Sequence, residues 1–564
     1  MLHLLRRHCL LACVGLLMLG LALLSQDLTA QQYTRYSAPE MFSYQELLTL
    51  SQDQEFEPDL SEKLRRITTT PFLSNEAYYR GAKPNRPDIE NLGSSLRLVF
   101  WNIERGIRLD EIKLLFTDRE GFLEEVKKTR EKAAEQLDTD SSAQNQDEEP
   151  VAVEPVEMTE LADRIDILQS ADVIVLNEVD WGMKRSGYRA VIQELGEALN
   201  MNWAYGVEFV EIDPTLLGTA TFESVEDEQE RQELIEYSAV DKERLRALHG
   251  TAILSRYPIR QAELRPFEFQ PYDWYREEKG LRLGEKGIRA GARLIGEELY
   301  REMRRGGRTT LLVHLDVPDL SEQKLTVVSP HLENRTKPQN RRQQMGEVLG
   351  WIQEINNPVV IAGDLNTTTG DSQSFKLERH LYKKYGGADF WVNQGIKYGT
   401  GVGLVYDLLK WGFNFTKNQS DPTSKHVPFV APNHEQKLFT ELEDFRFADG
   451  RAFDFRGDPE HTSNGLRGTL ANSNQREEKG FAHTYEFVIT VGVVGKYKLD
   501  WILVKSYSEQ PRNEEGSYRF APHFARTLKS VNFAFGAHQL SDHNPMSVDL
   551  PFGDPGKLKG DQQQ

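Results

Sequence analysis

Short apolar runs recur along this chain and stop on residues that carry chemistry. They occupy positions 96–103, 172–179, 251–255, 309–317, 325–330, 358–362, 500–505 and 546–550. Most are four to eight residues long, rich in Val, Ile, Leu and Phe. They lack strict polar/apolar alternation, the pattern of strands covered on both faces. Helical periodicity lies between some of them. Met158, Leu161, Ile165 and Leu168 form one apolar stripe, and Met345, Val348, Leu349, Ile352 and Ile355 form another after Pro338, where a proline suits the first turn of a helix. The expectation is a layered α/β enzyme.

Three stretches interrupt the pattern. Residues 131–157 hold nine acidic side chains and one lysine with almost no large apolar residue, the composition of a solvated or disordered insertion. Residues 221–236 hold seven acidic residues and one arginine and read as an exposed helix. The third, 370–480, is polar and rich in Gly, Asn, Asp and aromatics; its place between two strand-end motifs makes it a candidate substrate-selecting lid.

The amino terminus has Arg6 and Arg7, an apolar run over 10–24 and a polar segment ending in Ala30. That is the layout of a cleaved secretory signal peptide, and the run is shorter than the ~20 residues of a membrane span. The expected product is exported, periplasmic or secreted, with no transmembrane span. Both cysteines, Cys9 and Cys13, would leave with residues 1–30. Thiol catalysis and cysteine-based metal sites are then excluded, and a metal would need oxygen and imidazole ligands. The remaining chain would hold 66 basic and 86 acidic residues, with fourteen of its twenty net negative charges in the two acidic stretches. The acidity thus says little against a nucleic-acid substrate in a local basic cleft.

The strand ends are the informative positions. The first run enters Trp101-Asn102-Ile103-Glu104-Arg105-Gly106 and the second Leu176-Asn177-Glu178. Others end in Pro330-His331-Leu332-Glu333 and Gly363-Asp364-Leu365-Asn366, followed by Leu499-Asp500-Trp501-Ile502 and Ser541-Asp542-His543-Asn544-Pro545. A single Asp at a strand end is a turn or cap residue. In layered α/β folds, however, the carboxyl ends of strands converge on one crevice. This set supplies hard oxygen ligands for Mg²⁺ or Mn²⁺, two histidines, and amides able to hold a water or a phosphoryl oxygen.

These motifs, together with Gly250-Thr251-Ala252-Ile253-Leu254-Ser255-Arg256-Tyr257-Pro258-Ile259 and with Arg341, Arg342 and Gln344, resemble the endonuclease/exonuclease/phosphatase superfamily in their order along the chain. The resemblance covers residues 95–552, leaving 31–94 as an amino-terminal extension and 553–564 as a tail. It implies a four-layer α/β/β/α sandwich of two mixed sheets packed face to face, here with insertions at 131–157, 213–247 and 370–480. By position it implies Glu178 as principal metal ligand with Asn102 beside it, Asp542 at a second site, and Glu104 in a less defined ligand role. Asp364 would align or deprotonate the attacking water, and Asn366 would fix that water or the phosphate. His331 and His543 would face the scissile phosphate, with Asp500 orienting His543.

The resulting expectation is an exported, Mg²⁺- or Mn²⁺-dependent phosphohydrolase, of phosphodiesterase or nuclease type, acting through a metal-activated water in one step. Its substrate could be nucleic acid, a phospholipid such as sphingomyelin, or a phosphorylated small molecule, and no stable protein partner is inferred. The competing reading is a catalytically silent binding module of the same fold. His249, His314, His483 and His538 read as surface or satisfied core residues, and Arg301, Arg304, Arg305 and Arg308 around Gly306-Gly307 as a solvated turn.

Overall fold

A computed structural model describes residues 32–52, 55–140, 157–222, 228–280, 302–367, 423, 426–427, 431–456, 474, 476–477, 480–489, 492–509, 511, 516–536 and 539–555. The expected signal peptide, residues 141–156 of the acidic insertion and residues 368–422 of the third stretch lie outside the described residues.

The strands that build the body are β1 (Tyr36–Ser37), β2 (Phe72–Ser74), β3 (Asp88–Ile89), β4 (Gly93–Arg105), β5 (Val173–Trp181), β6 (Asn202–Glu211), β7 (Leu248–Ser255), β8 (Ile259–Pro266), β9 (Arg304–Gly306), β10 (Thr309–Asp316), β11 (Lys324–Pro330), β12 (Val359–Asp364), β13 (Asp500–Lys505), β14 (His523–Thr527) and β15 (Met546–Pro551). A 10-stranded sheet runs β1-β2-β6-β7-β5-β4-β15-β14, with β3 on β4 and β9 on β6. A 5-stranded sheet runs β13-β12-β11-β10-β8. Each contains one parallel pair, β4–β5 and β11–β12, among antiparallel neighbours, so both sheets are mixed.

Every expected run is a strand, and the missing alternation has its cause in the layering. Leu96, Leu98 and Phe100 of β4 point into the core between the sheets, where they meet Val313, Val327, Val360 and Ile502. Val99, Trp101 and Ile103 of the same strand face the opposite side. There they pack against α1 (Tyr44–Leu50), α2 (Pro58–Ile67), α3 (Leu109–Thr117), α4 (Arg119–Asp140), α5 (Met158–Gln169) and α6 (Val191–Ala198). The second sheet repeats this: Val359, Ile361, Trp501 and Leu503 turn outward onto α8 (Pro338–Ile352) and α9 (Gln436–Asp444). A strand apolar on both faces buries each in a different core, giving the four-layer α/β/β/α sandwich.

The described part of 31–94 joins the body of the fold. β2 pairs with β6, while Leu47, Leu50 and Ile67 join the outer core of the first sheet. The insertion at 131–157 begins inside a helix, since α4 continues to Asp140. The acidic run 221–236 falls in and beside α7 (Glu228–Ser238). The described part of 370–480 is structural as well: α9 buries Leu438, Phe439 and Leu442 in the outer core of the second sheet, and Arg341 of α8 bonds Glu435 beneath it. The lid reading therefore does not fit residues 436–444.

Candidate active site

Backbone irregularities gather where the expected residues sit. The β4–β5 register shifts between Asn102 and Arg105, and the β5–β7 register between Leu176 and Val179. Glu104 (φ 45°), Arg105 (φ 66°), Glu178 (φ 55°) and Asn366 (φ 51°) all occupy the left-handed region, which costs a non-glycine residue about 1 kcal/mol or more. Such bulges re-aim side chains at strand ends. Gly363 is required by close approach, because a Cβ there would lie 2.1 Å from the Pro330 carbonyl oxygen on β11. Beneath the site Asn177 ties the two sheets together. Its Oδ1 accepts the Asp364 N–H at 3.0 Å, and its Nδ2 donates to Thr251 at 3.2 Å and Ser329 at 3.3 Å.

His543 forms one side of the site. Its Nδ1 lies 2.8 Å from Asp500 Oδ2, and its Nε2 is 3.9 Å from Asp364 Oδ2 and 3.5 Å from Asn102 Nδ2. The loop carrying it is fastened to the end of β4: Trp101 Nε1 donates to the His543 carbonyl at 2.8 Å and Ser541 Oγ to the Asn102 carbonyl at 2.7 Å. Burial alone would lower the pKa of His543, but the charges of Asp500, Asp542 and Asp364 outweigh it and raise it well above the usual histidine value. The other Asp500 oxygen, Oδ1, is buried without a hydrogen-bond partner among the described residues.

His331 forms the other side. Its Nε2 is 3.7 Å from the same Asp364 Oδ2, and its Nδ1 is 3.1 Å from Glu208 Oε1. Glu208 also accepts from Arg308 Nη1 at 3.0 Å and from Thr251 Oγ1 at 2.6 Å. Burial would raise the Glu208 carboxyl; His331 and Arg308 overcome that and hold it at about 2. Asp364 is pushed above the ordinary carboxylate value by burial and then by Asp500, partly offset by the two imidazoles and the Asn366 N–H. That N–H donates to Asp364 Oδ1 at 2.8 Å, and Asn366 Nδ2 donates to the Leu332 carbonyl at 2.9 Å. Asn366 thus braces Asp364 and the His331 loop, and its Oδ1 accepts no hydrogen bond among the described residues.

Glu178 has the character of a cation ligand. It accepts no hydrogen bond among the described residues, and it is half-buried. Burial would raise its pKa, yet the charges of His249, Arg105, His331 and His543 hold it well below the carboxylate range. Asn102 is fully buried, its Oδ1 accepting the Glu104 N–H at 3.2 Å, and Asp542 is half-buried beside Ser541 Oγ at 3.3 Å. These oxygen donors suit a hard divalent ion. Asp364, Asp500 and His543 also bring possible ligand atoms within 4.8 Å of one another. The Glu178 side offers oxygen donors alone, which suits Mg²⁺ or Mn²⁺ better than a set that includes an imidazole already bonded to Asp500.

Two residues of this site were missed from sequence, Glu208 and Arg308, and the reading of the arginines needs correction. Arg304 and Arg308 are 4% and 2% exposed; they are not a solvated turn. Arg304 pairs with Glu211 at 2.9 Å, and Glu211 with Arg185 at 3.0 Å. His249 is a satisfied core residue, 2.8 Å from Asp180, that also adds its charge to Glu178. His314 bonds Thr326 Oγ1 at 3.0 Å and is half-buried, and His483 is buried. Arg301 and His538 lie outside the described residues. A groove of about 820 Å³ between α8 and α9 is lined by none of the site's side chains.

The model of the Endonuclease/Exonuclease/phosphatase family matches residues 158–543. No curated protein matches the chain. Similar solved structures include an endonuclease/exonuclease/phosphatase from Beutenbergia cavernae, 15% identical over 81% of this chain and 72% of that one, with a TM-score of 0.32. A 3'-5' exonuclease from Neisseria meningitidis is 11% identical over 81% and 99%, with a TM-score of 0.33. The human Nocturnin catalytic domain with bound sulfate is 10% identical over 83% and 98%, with a TM-score of 0.32.

Proposed function

This chain belongs to the endonuclease/exonuclease/phosphatase family, and on that premise we propose that it is an exported, Mg²⁺- or Mn²⁺-dependent phosphohydrolase of phosphodiesterase or nuclease type. The observation that carries the reading is the convergence of both imidazole Nε2 atoms on one buried carboxylate oxygen, at 3.7 and 3.9 Å from Asp364 Oδ2.

Asp364 orients the attacking water and accepts its proton, and its raised pKa makes it a stronger base than an exposed aspartate. Asn366 holds the loop and turns its amide oxygen to the water or the substrate. His543, kept protonated by Asp500, offsets the charge that gathers on the phosphoryl oxygens and can protonate the leaving oxygen. His331, held by Glu208 and Arg308, faces the same position. Glu178, with Asn102, Glu104 and Asp542, would hold the divalent ion. When bound, that ion supplies Lewis-acid charge to a phosphoryl oxygen.

The test is hydrolysis by the purified chain of bis-p-nitrophenyl phosphate, plasmid DNA, RNA, sphingomyelin and a phosphomonoester, each with and without EDTA. Metal-dependent cleavage of bis-p-nitrophenyl phosphate, DNA or RNA supports the proposal. Cleavage of sphingomyelin or of the monoester alone would select a phospholipase- or phosphatase-type member, and cleavage of none would favour a silent binding module.

A further inference from the structure

Three guanidinium groups, one buried and two partly exposed, converge on a single carboxylate. Glu302 accepts from Arg105 Nη2 at 3.1 Å, Arg304 Nη2 at 2.9 Å and Arg335 Nη2 at 2.6 Å. Arg304 is also paired with Glu211, and Arg335 with Glu278. Arg105 bonds no other side chain among the described residues, and its Nε is buried without a hydrogen-bond partner. The buried Trp274 ring sets the positions of two of the three, with the Arg335 and Arg304 Cζ atoms 4.5 and 4.7 Å from its centroid. Trp274 is itself fixed by its Nε1–H to Glu333 at 2.9 Å.

Two of the three arginines of this fan adjoin the site. Arg105 follows the Asn102–Glu104 bulge, and its charge acts on Glu178. Arg335 donates its backbone N–H to Glu333 at 2.9 Å, and Glu333 lies 3.8 Å from Arg308, the neighbour of His331. A carboxylate and a phosphoryl group present the same paired oxygens to guanidinium. Both Arg105 and Glu302 are partly exposed, at 29% and 20% of their side chains, so the pair can open to solvent without unfolding the core. We propose that Arg105, Arg304 and Arg335 form a second anion subsite, for a phosphoryl group one position from the scissile one, and that Glu302 is the internal anion this group displaces. The proposal rests on the hydrolase reading for the identity of the neighbouring site. It assigns to this chain substrates with two phosphoryl groups, from a nucleic acid or a phosphorylated small molecule.

Calorimetric titrations in EDTA, which withholds the ion that hydrolysis requires on that reading, test it on the intact chain. The probes are adenosine 3',5'-bisphosphate against adenosine 5'-monophosphate, and fructose 1,6-bisphosphate against fructose 6-phosphate, so that the two pairs distinguish nucleotide from sugar sources. Glu302→Gln should bind a bisphosphate about tenfold tighter than the unaltered chain, with the monophosphate changed less than about twofold. Arg105→Ala, alone or added to Glu302→Gln, should erase that preference. An unchanged bisphosphate-to-monophosphate ratio in Glu302→Gln, or no binding of any probe to it, would overturn the subsite and leave the fan a structural clamp. Diester hydrolysis measured separately keeps the two readings apart: turnover without the binding switch removes only the subsite, and the switch without turnover removes only the hydrolase.

Discussion

The two histidines of the site are built alike and supported differently. Each places Nδ1 on a buried carboxylate, His543 at 2.8 Å from Asp500 and His331 at 3.1 Å from Glu208, and each directs Nε2 toward Asp364. Among the described residues Asp500 serves its imidazole without a cationic neighbour in hydrogen-bond contact, and its second oxygen is buried with no hydrogen-bond partner. Glu208 divides its charge between His331 and Arg308. The carboxylate on the first side therefore acts mainly on the proton of its histidine, whereas on the second it also neutralises a buried guanidinium. One side is organised around protonation and the other around holding charges in place.

The largest effect should come where the sides meet. Asp364→Ala removes the group both imidazoles face, and turnover should fall by about a thousandfold or more with folding preserved. His543→Ala and His331→Ala should each cost about a hundredfold to ten-thousandfold; near-normal activity in either, measured as kcat on a diester, would strike that histidine from the site. The next pair separates the supports. Asp500→Asn should lose about a hundredfold in kcat with little change in Tm, since it removes charge from a single hydrogen bond of nearly unchanged shape. Glu208→Gln should instead lower stability by about 3 kcal/mol, because it leaves the buried Arg308 charge with Glu333, at 3.8 Å, as its one remaining carboxylate among the described residues, and denaturant titration reads this directly. Equal stability losses in the two variants would erase the distinction drawn here.

The acid behaviour is smaller and differs again. Asp364 must be ionised to act as a base, and its pKa is raised, so the rate should begin to fall with acid above the ordinary aspartate range. Glu208 and Glu211 are depressed to about 2 from an unfolded value of 4.5. Their contribution to stability is fully present above pH 4.5 and is lost as pH falls toward 2, where the unfolded chain binds protons the folded chain does not. Glu211→Gln should flatten that part of the stability–pH curve, which acid unfolding followed by circular dichroism would show.

The same contrast explains what could be read in advance. Asn102, Glu178, His331 and Asp364 stand at the close of a run of apolar residues, and Asp500 and His543 at or just before the start of one, so local pattern exposes them. Glu208 and Glu211 lie within β6, whose polar Asn202, Glu208 and Glu211 break its apolar run, although all its residues are buried. Their partners are remote, with Arg308 100 positions from Glu208. Nothing in the surroundings of Arg304 and Arg308 marks them as buried; two glycines between them suggest a turn. The backbone of β9 and its pairing with β6 bring those charges inside. Charge compensation across sheets is a property of the three-dimensional pairing and leaves no local signal.

The most direct measurement is the hydrolysis of bis-p-nitrophenyl phosphate by the intact chain and by Asp364→Asn, each with Mg²⁺, with EDTA, and with Mg²⁺ restored. The expected result is turnover that EDTA abolishes and Mg²⁺ recovers in the unaltered chain, and a loss of about a thousandfold in a variant that melts at the same temperature. Turnover indifferent to EDTA, or an Asp364→Asn variant as active as the unaltered chain, would contradict the assignment of this site.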